Sequence, residues 1–295
     1  MLLSSSPARC LLAMAAILAA PSFAADRPLK PYLLGFRGAA TVDARLTETK
    51  AALEEKGFQL VGEYAPSKGV HVLVATSETL KAAAAKSPFG AYGAVVRVSV
   101  TDTGKELQVA ATNPRYFAAA YRMKDDLDDV AAALEEAIGK TAEFGSKDGL
   151  TAAKLRQYHY MMMMPRFDDP VKLASFRSQD EALAAVEAGL AAKKGGSSKV
   201  YRVDVPGGKE SVFGVAIAEG EGADAVIMPV IDIAELKHTP HLPYEVVVSN
   251  GSVYMLHGKF RIALDFPDLT MGKFMKISGA PSAIEGKLQL LAGGK

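Results

Sequence analysis

The chain has almost no cysteine. Its single thiol, Cys10, lies near the start, in a segment that reads as a removable leader. The mature protein is therefore expected to lack disulfides, zinc–thiolate sites, iron–sulfur clusters and cysteine nucleophiles. Tryptophan is absent and aromatics make up only 7% of the residues. That argues against the ring platforms on which sugars and unpaired bases stack. An excess of charge is missing too: 34 basic residues face 33 acidic ones, and removing Arg9 with the leader makes them equal. No field then draws the protein to nucleic acid or to an anionic membrane. Beyond the leader there is no apolar run of the roughly 18–20 residues that a span requires, so no transmembrane anchor is expected. Without such staples, about 270 residues must be held by burial alone, a length that suits two ordinary domains.

What is present begins with the leader. Arg9 precedes an apolar run from Leu11 to Ala20, followed by Pro21-Ser22-Phe23-Ala24. A short basic region, an apolar core and a small-x-small site form the layout of a secretory signal peptide, with cleavage after Ala24. Pro7-Ala8-Arg9 before Cys10 does not make a lipoprotein acceptor. The reading is a signal peptide over 1–24 and a periplasmic location.

The remainder says nearly the same thing twice. Leu33-Leu34-Gly35-Phe36-Arg37 ends one strand, and Leu173-Ala174-Ser175-Phe176-Arg177 repeats it in register. Each precedes an amphipathic helix, with Val42, Leu46, Thr49 and Leu53 on one stripe and Leu183, Val186 and Leu190 on the other. Strands are predicted at 58–64, 70–75, 94–100 and 106–111, with a short helix around 78–86. In the second half they are predicted at 200–205, 211–218, 225–231 and 244–248, with further strand running to Leu264. Both halves close on helices opened by proline: Asn113-Pro114 with the stripe Leu127, Val130, Leu134, Ile138, and Phe266-Pro267 with a last helix near 282–291. The expected fold is α+β, with two similar domains, each a mostly antiparallel sheet packed by helices on one face. The first covers 26–140, a connecting segment runs over 141–164, and a diverged repeat covers 165–295.

Gly104-Lys105-Glu106-Leu107-Gln108-Val109, Asn113-Pro114, Ala118, Tyr121 and Met123, then Leu127, Val130 and Leu134, resemble the C-terminal part of the family called domain of unknown function 302. The resemblance covers about Leu33–Ile138 and, more faintly, Leu173–Leu291. It implies a small α/β domain and carries over no catalytic residue.

Several constellations could carry chemistry. Tyr158-His159-Tyr160 followed by Met161–Met164 offers thioethers and an imidazole, a donor set suited to Cu(I). Alternation along a strand would point those sulfurs to opposite faces, so the plainer reading is an apolar strand with Met filling both faces. His238 and His241, with His257 nearby in sequence, could share a metal such as copper or sit beside haem. His159 is the fourth candidate ligand. Their loop, marked by Pro240 and Pro243, favours a structural role. Arg37 and Arg177, at strand ends before helices, could hold the anionic end of a ligand, or pair with neighbouring acids. No serine-nucleophile elbow, zinc-protease helix, P-loop, dinucleotide fingerprint or EF-hand loop occurs. The expected role is binding or accessory rather than catalytic. The partner would be a small-molecule ligand or an envelope protein, received in a cleft between the two sheets or at a sheet edge. The alternatives are copper or haem handling through His and Met, and an enzyme acting on a small substrate. Intact-mass measurement of the protein recovered from an exporting host should give a chain beginning at Ala25. A chain retaining Met1 would remove the compartment argument.

Overall fold

The computed structural model describes residues 27–294, so the leader and Cys10 lie outside the described residues. The first half runs β1 (Tyr32–Gly38), α1 (Val42–Glu55), β2 (Gln59–Ser67), β3 (Val70–Thr76), α2 (Glu78–Ala84), β4 (Val96–Asp102), β5 (Leu107–Thr112), α3 (Pro114–Ala120) and α4 (Asp128–Ile138). A short β6 (Ala142–Phe144) and α5 (Ala152–Leu155) follow. The second half then runs β7 (Val171–Ser175), α6 (Gln179–Ala191), β8 (Ser197–Asp204), β9 (Glu210–Ile217), α7 (Asp224–Ile231), β10 (Tyr244–Ser249), β11 (Ser252–Met255), α8 (Gly258–Asp265), α9 (Met271–Phe274) and α10 (Ala280–Leu291). All strand pairs are antiparallel, ordered β2-β3-β4-β5-β1-β6 in one sheet and β7-β11-β10-β9-β8 in the other. Setting β6, α5 and α9 aside, the two halves share both element order and sheet order. The repeat is thus visible in topology, and the α+β two-domain reading holds.

Local chemistry explains most boundaries. Thr41 caps α1 by accepting from the Ala44 N–H at 3.4 Å, and Leu46, Thr49 and Leu53 are its buried residues. Ser178 caps α6 from the same place in the repeat, accepting from Glu181 N at 3.1 Å. Such caps stabilise a helix by about 1 kcal/mol each. Asn113 caps α3, whose first residue is Pro114.

Four expectations are corrected. Residues 225–231, predicted as strand, form α7, which occupies the place of α2 in the repeat. A short apolar run with β-branched residues reads equally as buried strand or buried helix. The strand predicted to reach Leu264 stops at Met255, and α8 begins after the His257 cap, matching α3 after Asn113. The Met161–Met164 run is an exposed turn, not a strand. The segment 141–164 is no free connector: β6 pairs with β1, and Leu155 is buried in the first half's core.

The expected cleft between the sheets is also corrected, because their inner faces pack against each other. Strand register puts Gly62, Tyr64, Val72, Val74, Arg97, Ser99, Thr101 and Gln108 on one face of the first sheet, with Val98, Val100 and Val109 on the other. In the second sheet Tyr201, Val203, Val212, Gly214, Glu245 and Val247 share a face. Val203, Val212 and Val247 join the first half's apolar core, whereas Phe213, Val246 and Val248 belong to a second core under α6 and α10. The layers are therefore helices, sheet, sheet, helices.

At the centre of the seam, Arg97 Nη1 donates to Glu245 Oε2 at 2.9 Å, and the Tyr201 hydroxyl donates to Glu245 Oε1 at 2.5 Å. Arg97 lies opposite Val74 and Gly62, while Glu245 lies opposite Gly214 and Tyr201, so the two charges stand at equivalent points of the repeat. The contacts run both ways across this pair. Glu210 accepts from the Phe89 and Ala91 amides of the first half, at 2.8 and 3.1 Å. Thr239 of the second half meets Thr101, Oγ1 to Oγ1, at 3.0 Å. The Tyr116 hydroxyl of α3 donates to the Leu264 carbonyl of α8 at 2.9 Å. Gly62 is required at this seam, because a Cβ there would stand 2.6 Å from the Val200 carbonyl oxygen. A buried pair stripped of one partner leaves an uncompensated charge, so Glu245→Ala should destabilise by about 3–5 kcal/mol in urea unfolding. The double replacement Arg97→Met/Glu245→Leu should recover most of that loss.

Candidate functional site

A large cavity lies to one side of the seam, where the β6 strand and its following loop meet the α7–α9 region of the second half. It is a groove of about 480 Å³, within the range of small-molecule sites. Phe144, Ile231, Leu236, His238, Phe266 and Leu269 form an apolar floor, and Lys30, Lys147 and Lys273 stand around it. The floor is fixed by an aromatic cluster: the His238 ring lies 5.1 Å from Tyr32, 5.8 Å from Phe144 and 4.9 Å from Phe266, centre to centre. Gly145 carries the chain over it at φ +96°, where a Cβ would stand 2.7 Å from Tyr32 Cδ2 and 3.3 Å from His238 Nε2. Only glycine adopts that turn and that approach together.

The charges around the groove are uneven. Glu143 is engaged by Lys140 at 3.0 Å and by Arg27, and Asp268 accepts from the Lys147 backbone amide at 2.8 Å. The ammonium groups of Lys30, Lys147 and Lys273 make no ion pair or side-chain hydrogen bond with any described residue. The groove therefore joins an apolar surface to three lysine ammonium groups without ion-pair partners among the described residues, with the Asp268 carboxylate, held by a backbone amide, beside them.

The predicted site residues are distributed differently. His238 lines the groove, but Asp232 Oδ1 accepts from its backbone amide at 2.9 Å and lies 3.1 Å from its Nδ1. His241 is fully buried, its Nδ1 against Asp265 and its Nε2 3.4 Å from the Tyr244 hydroxyl. The Phe266 ring contacts both imidazoles. Each Nδ1 thus faces its own carboxylate, Asp232 for His238 and Asp265 for His241. His257 caps α8, accepting from Lys259 N at 3.2 Å, and half-buried His159 places Nδ1 3.1 Å from the Gln157 carbonyl oxygen. Among the described residues, no group of three or more His, Cys, Asp or Glu side chains could hold a metal ion. Arg37 is held by Glu106 at 2.7 Å and by Glu235 of the second half. The Arg177 guanidinium pairs with no described residue, and its backbone amide donates to Glu181 at 3.1 Å. Neither arginine reaches the groove.

Sequence reasoning missed the three lysines, which are separated by more than a hundred residues. It also missed two buried acids. Asp265 sits against His241 and beside Arg261, whose guanidinium donates to the carbonyls of His241 and, at 2.6 Å, of Pro243. Asp224, opening α7, accepts from the Tyr64 hydroxyl across the seam and from Ile217 N at 3.1 Å. The Asp265–His241–Tyr244 chain has the composition of a proton relay, but complete burial keeps it from any substrate. A search of protein-family models, curated proteins and solved structures finds no match to the chain.

These buried groups give opposed pH dependences. Burial, aided by the Arg261 charge, lowers the His241 pKa from 6.5 to about 4. The unfolded state binds more protons between those values, so stability is lost as pH falls through that window. Burial raises the Asp224 pKa from 3.8 to about 6. There the folded state binds more protons, and stability is gained as pH falls from about 6 towards 4. Each term is on the order of 3 kcal/mol and the two act in opposite directions. Asp224→Asn should therefore be more stable than the parent at pH 7.5. It should lose that advantage steadily towards pH 4, as followed by urea midpoints across the range.

Proposed function

We propose that the protein is a binding protein whose ligand is a small amphipathic anion held in the groove between the two halves. The observation that carries this reading is the meeting of Lys30, Lys147 and Lys273, each without an ionic partner among the described residues, around an apolar floor. An apolar body would displace water from Phe144, Leu236, Phe266 and Leu269, worth about 25 cal/mol per Å² covered. A carboxylate, sulfonate or phosphate at its end would meet the ammonium groups, giving orientation and a salt-dependent share of the affinity. The chain lacks the nucleophile and phosphate-binding motifs of the common enzyme classes, and its fully buried His241–Asp265 pair is sealed in the core, so binding is favoured over catalysis. For haem, the groove would have to supply an axial nitrogen, and the packing of Gly145 against His238 Nε2 counts against that.

An exported accessory role in the periplasm, and kinship of each half with the family of domain of unknown function 302, belong to the same proposal. They rest on the N-terminal segment and on the repeated strand–helix motifs.

The probe is 8-anilinonaphthalene-1-sulfonate, an aromatic sulfonate whose fluorescence rises when it leaves water. The full chain should bind it, and Lys30→Ala/Lys147→Ala/Lys273→Ala should weaken binding by at least about tenfold at low salt, with less difference at high salt. Unchanged affinity in the triple variant would overturn the assignment.

A further inference from the structure

Methionine is normally buried, yet Met161, Met162 and Met163 are 49%, 84% and 96% exposed. Their shape explains how four consecutive thioethers can act together. Met164 N–H donates to the Met161 carbonyl at 3.0 Å, closing a four-residue turn. Such a turn holds its first and last Cα atoms within about 7 Å. The faces of a strand would have separated these sulfurs. A turn brings the four backbone positions to one corner, from which unbranched side chains with three rotatable bonds each can converge.

The backbone supplies an independent sign. Met163, the third residue of the turn, has φ +69°. Glycine or asparagine is the usual occupant there, and another side chain costs about 1–2 kcal/mol. A long thioether stands at that position, almost wholly in solvent, where it returns no packing energy. Beside the turn, Met164 shares a small apolar cavity with Tyr160, Met271 and Phe274. That contact fixes one end of the turn and leaves the other three sulfurs outside.

We infer that the Met161–Met164 turn is a soft-metal site that takes Cu(I) through the thioether sulfurs of Met161, Met162 and Met163. Thioethers are soft, uncharged donors that select Cu(I) over Zn(II), Mg(II) or Ca(II). Three neutral sulfurs around one monovalent ion add a single positive charge to a surface segment. The site is separate from the lysine-rimmed groove and needs no imidazole.

The test is anaerobic titration of the full chain with Cu(I), in competition with a chromophoric Cu(I) chelator. The parent should take up one Cu(I). Met161→Leu/Met162→Leu/Met163→Leu should bind at least about tenfold more weakly, because leucine keeps the volume and removes the sulfur. Zn(II) should not compete. The exposed positions make folding of the variant independent of the result, and circular dichroism checks it. No uptake by the parent, equal affinity in the triple variant, or displacement by Zn(II) would each overturn the proposal. Binding of the aromatic sulfonate should be the same in parent and triple variant, so the two sites fail or stand separately.

Discussion

One buried ion pair constrains the centre of the arrangement. Arg97 and Glu245 are buried and lie at the same point of two repeated sheets, and they meet where the inner faces touch. Neither charge is tolerable there without the other. Tyr201 fills the remaining carboxylate oxygen, and Gly62 lets the β2 backbone approach β8. Around this centre the contacts are reciprocal, as in an isologous interface between two copies. The 3₁₀ turn Gly90–Gly93 of one half abuts the second sheet, and the turn Thr239–His241 of the other abuts the first. The halves share so much apolar surface that one core draws residues from both.

Closing the sheets face to face moves any ligand site outward. With the seam filled, the accessible concavity lies at its margin, where the two halves have diverged. The sixth strand exists only in the first half, and α9 only in the second, and the groove is formed between them. Divergence of the repeat and location of the groove thus have one cause: symmetric packing consumes the symmetric surfaces.

Much of this plan was legible in the residues. The stripes Val42, Leu46, Thr49, Leu53 and Leu183, Val186, Leu190 identified α1 and α6, because helix periodicity is local. The same holds for the tight turns Pro206-Gly207-Gly208-Lys209 and Ser249-Asn250-Gly251, which join β8 to β9 and β10 to β11. Residues 225–231 misled because all seven are apolar, exposed Val226 included, so composition shows no helical period; in 256–264 Lys259 alone is both charged and exposed, too little to mark a face. The topology of the first half would have corrected both. The Met run misled for the opposite reason: hydrophobic character implied burial, and only the fold shows the segment in solvent. The groove could not be read at all. Lys30, Lys147 and Lys273 are ordinary surface lysines until the chain brings them together, and Asp232, Asp224 and Asp265 carry no motif.

The equivalence of Arg97 and Glu245 has an implication for ancestry. If the repeat arose from a free-standing half that associated with itself, both central positions then carried one and the same residue. Two guanidinium groups, or two carboxylates, facing each other away from water would have repelled, so the ancestral dimer must have held something neutral at its axis. Complementary signs became possible only once duplication allowed one position to change without the other. The pair thus dates itself after the doubling, and it commits the protein: neither module can return to self-association without bringing like charges together at its centre.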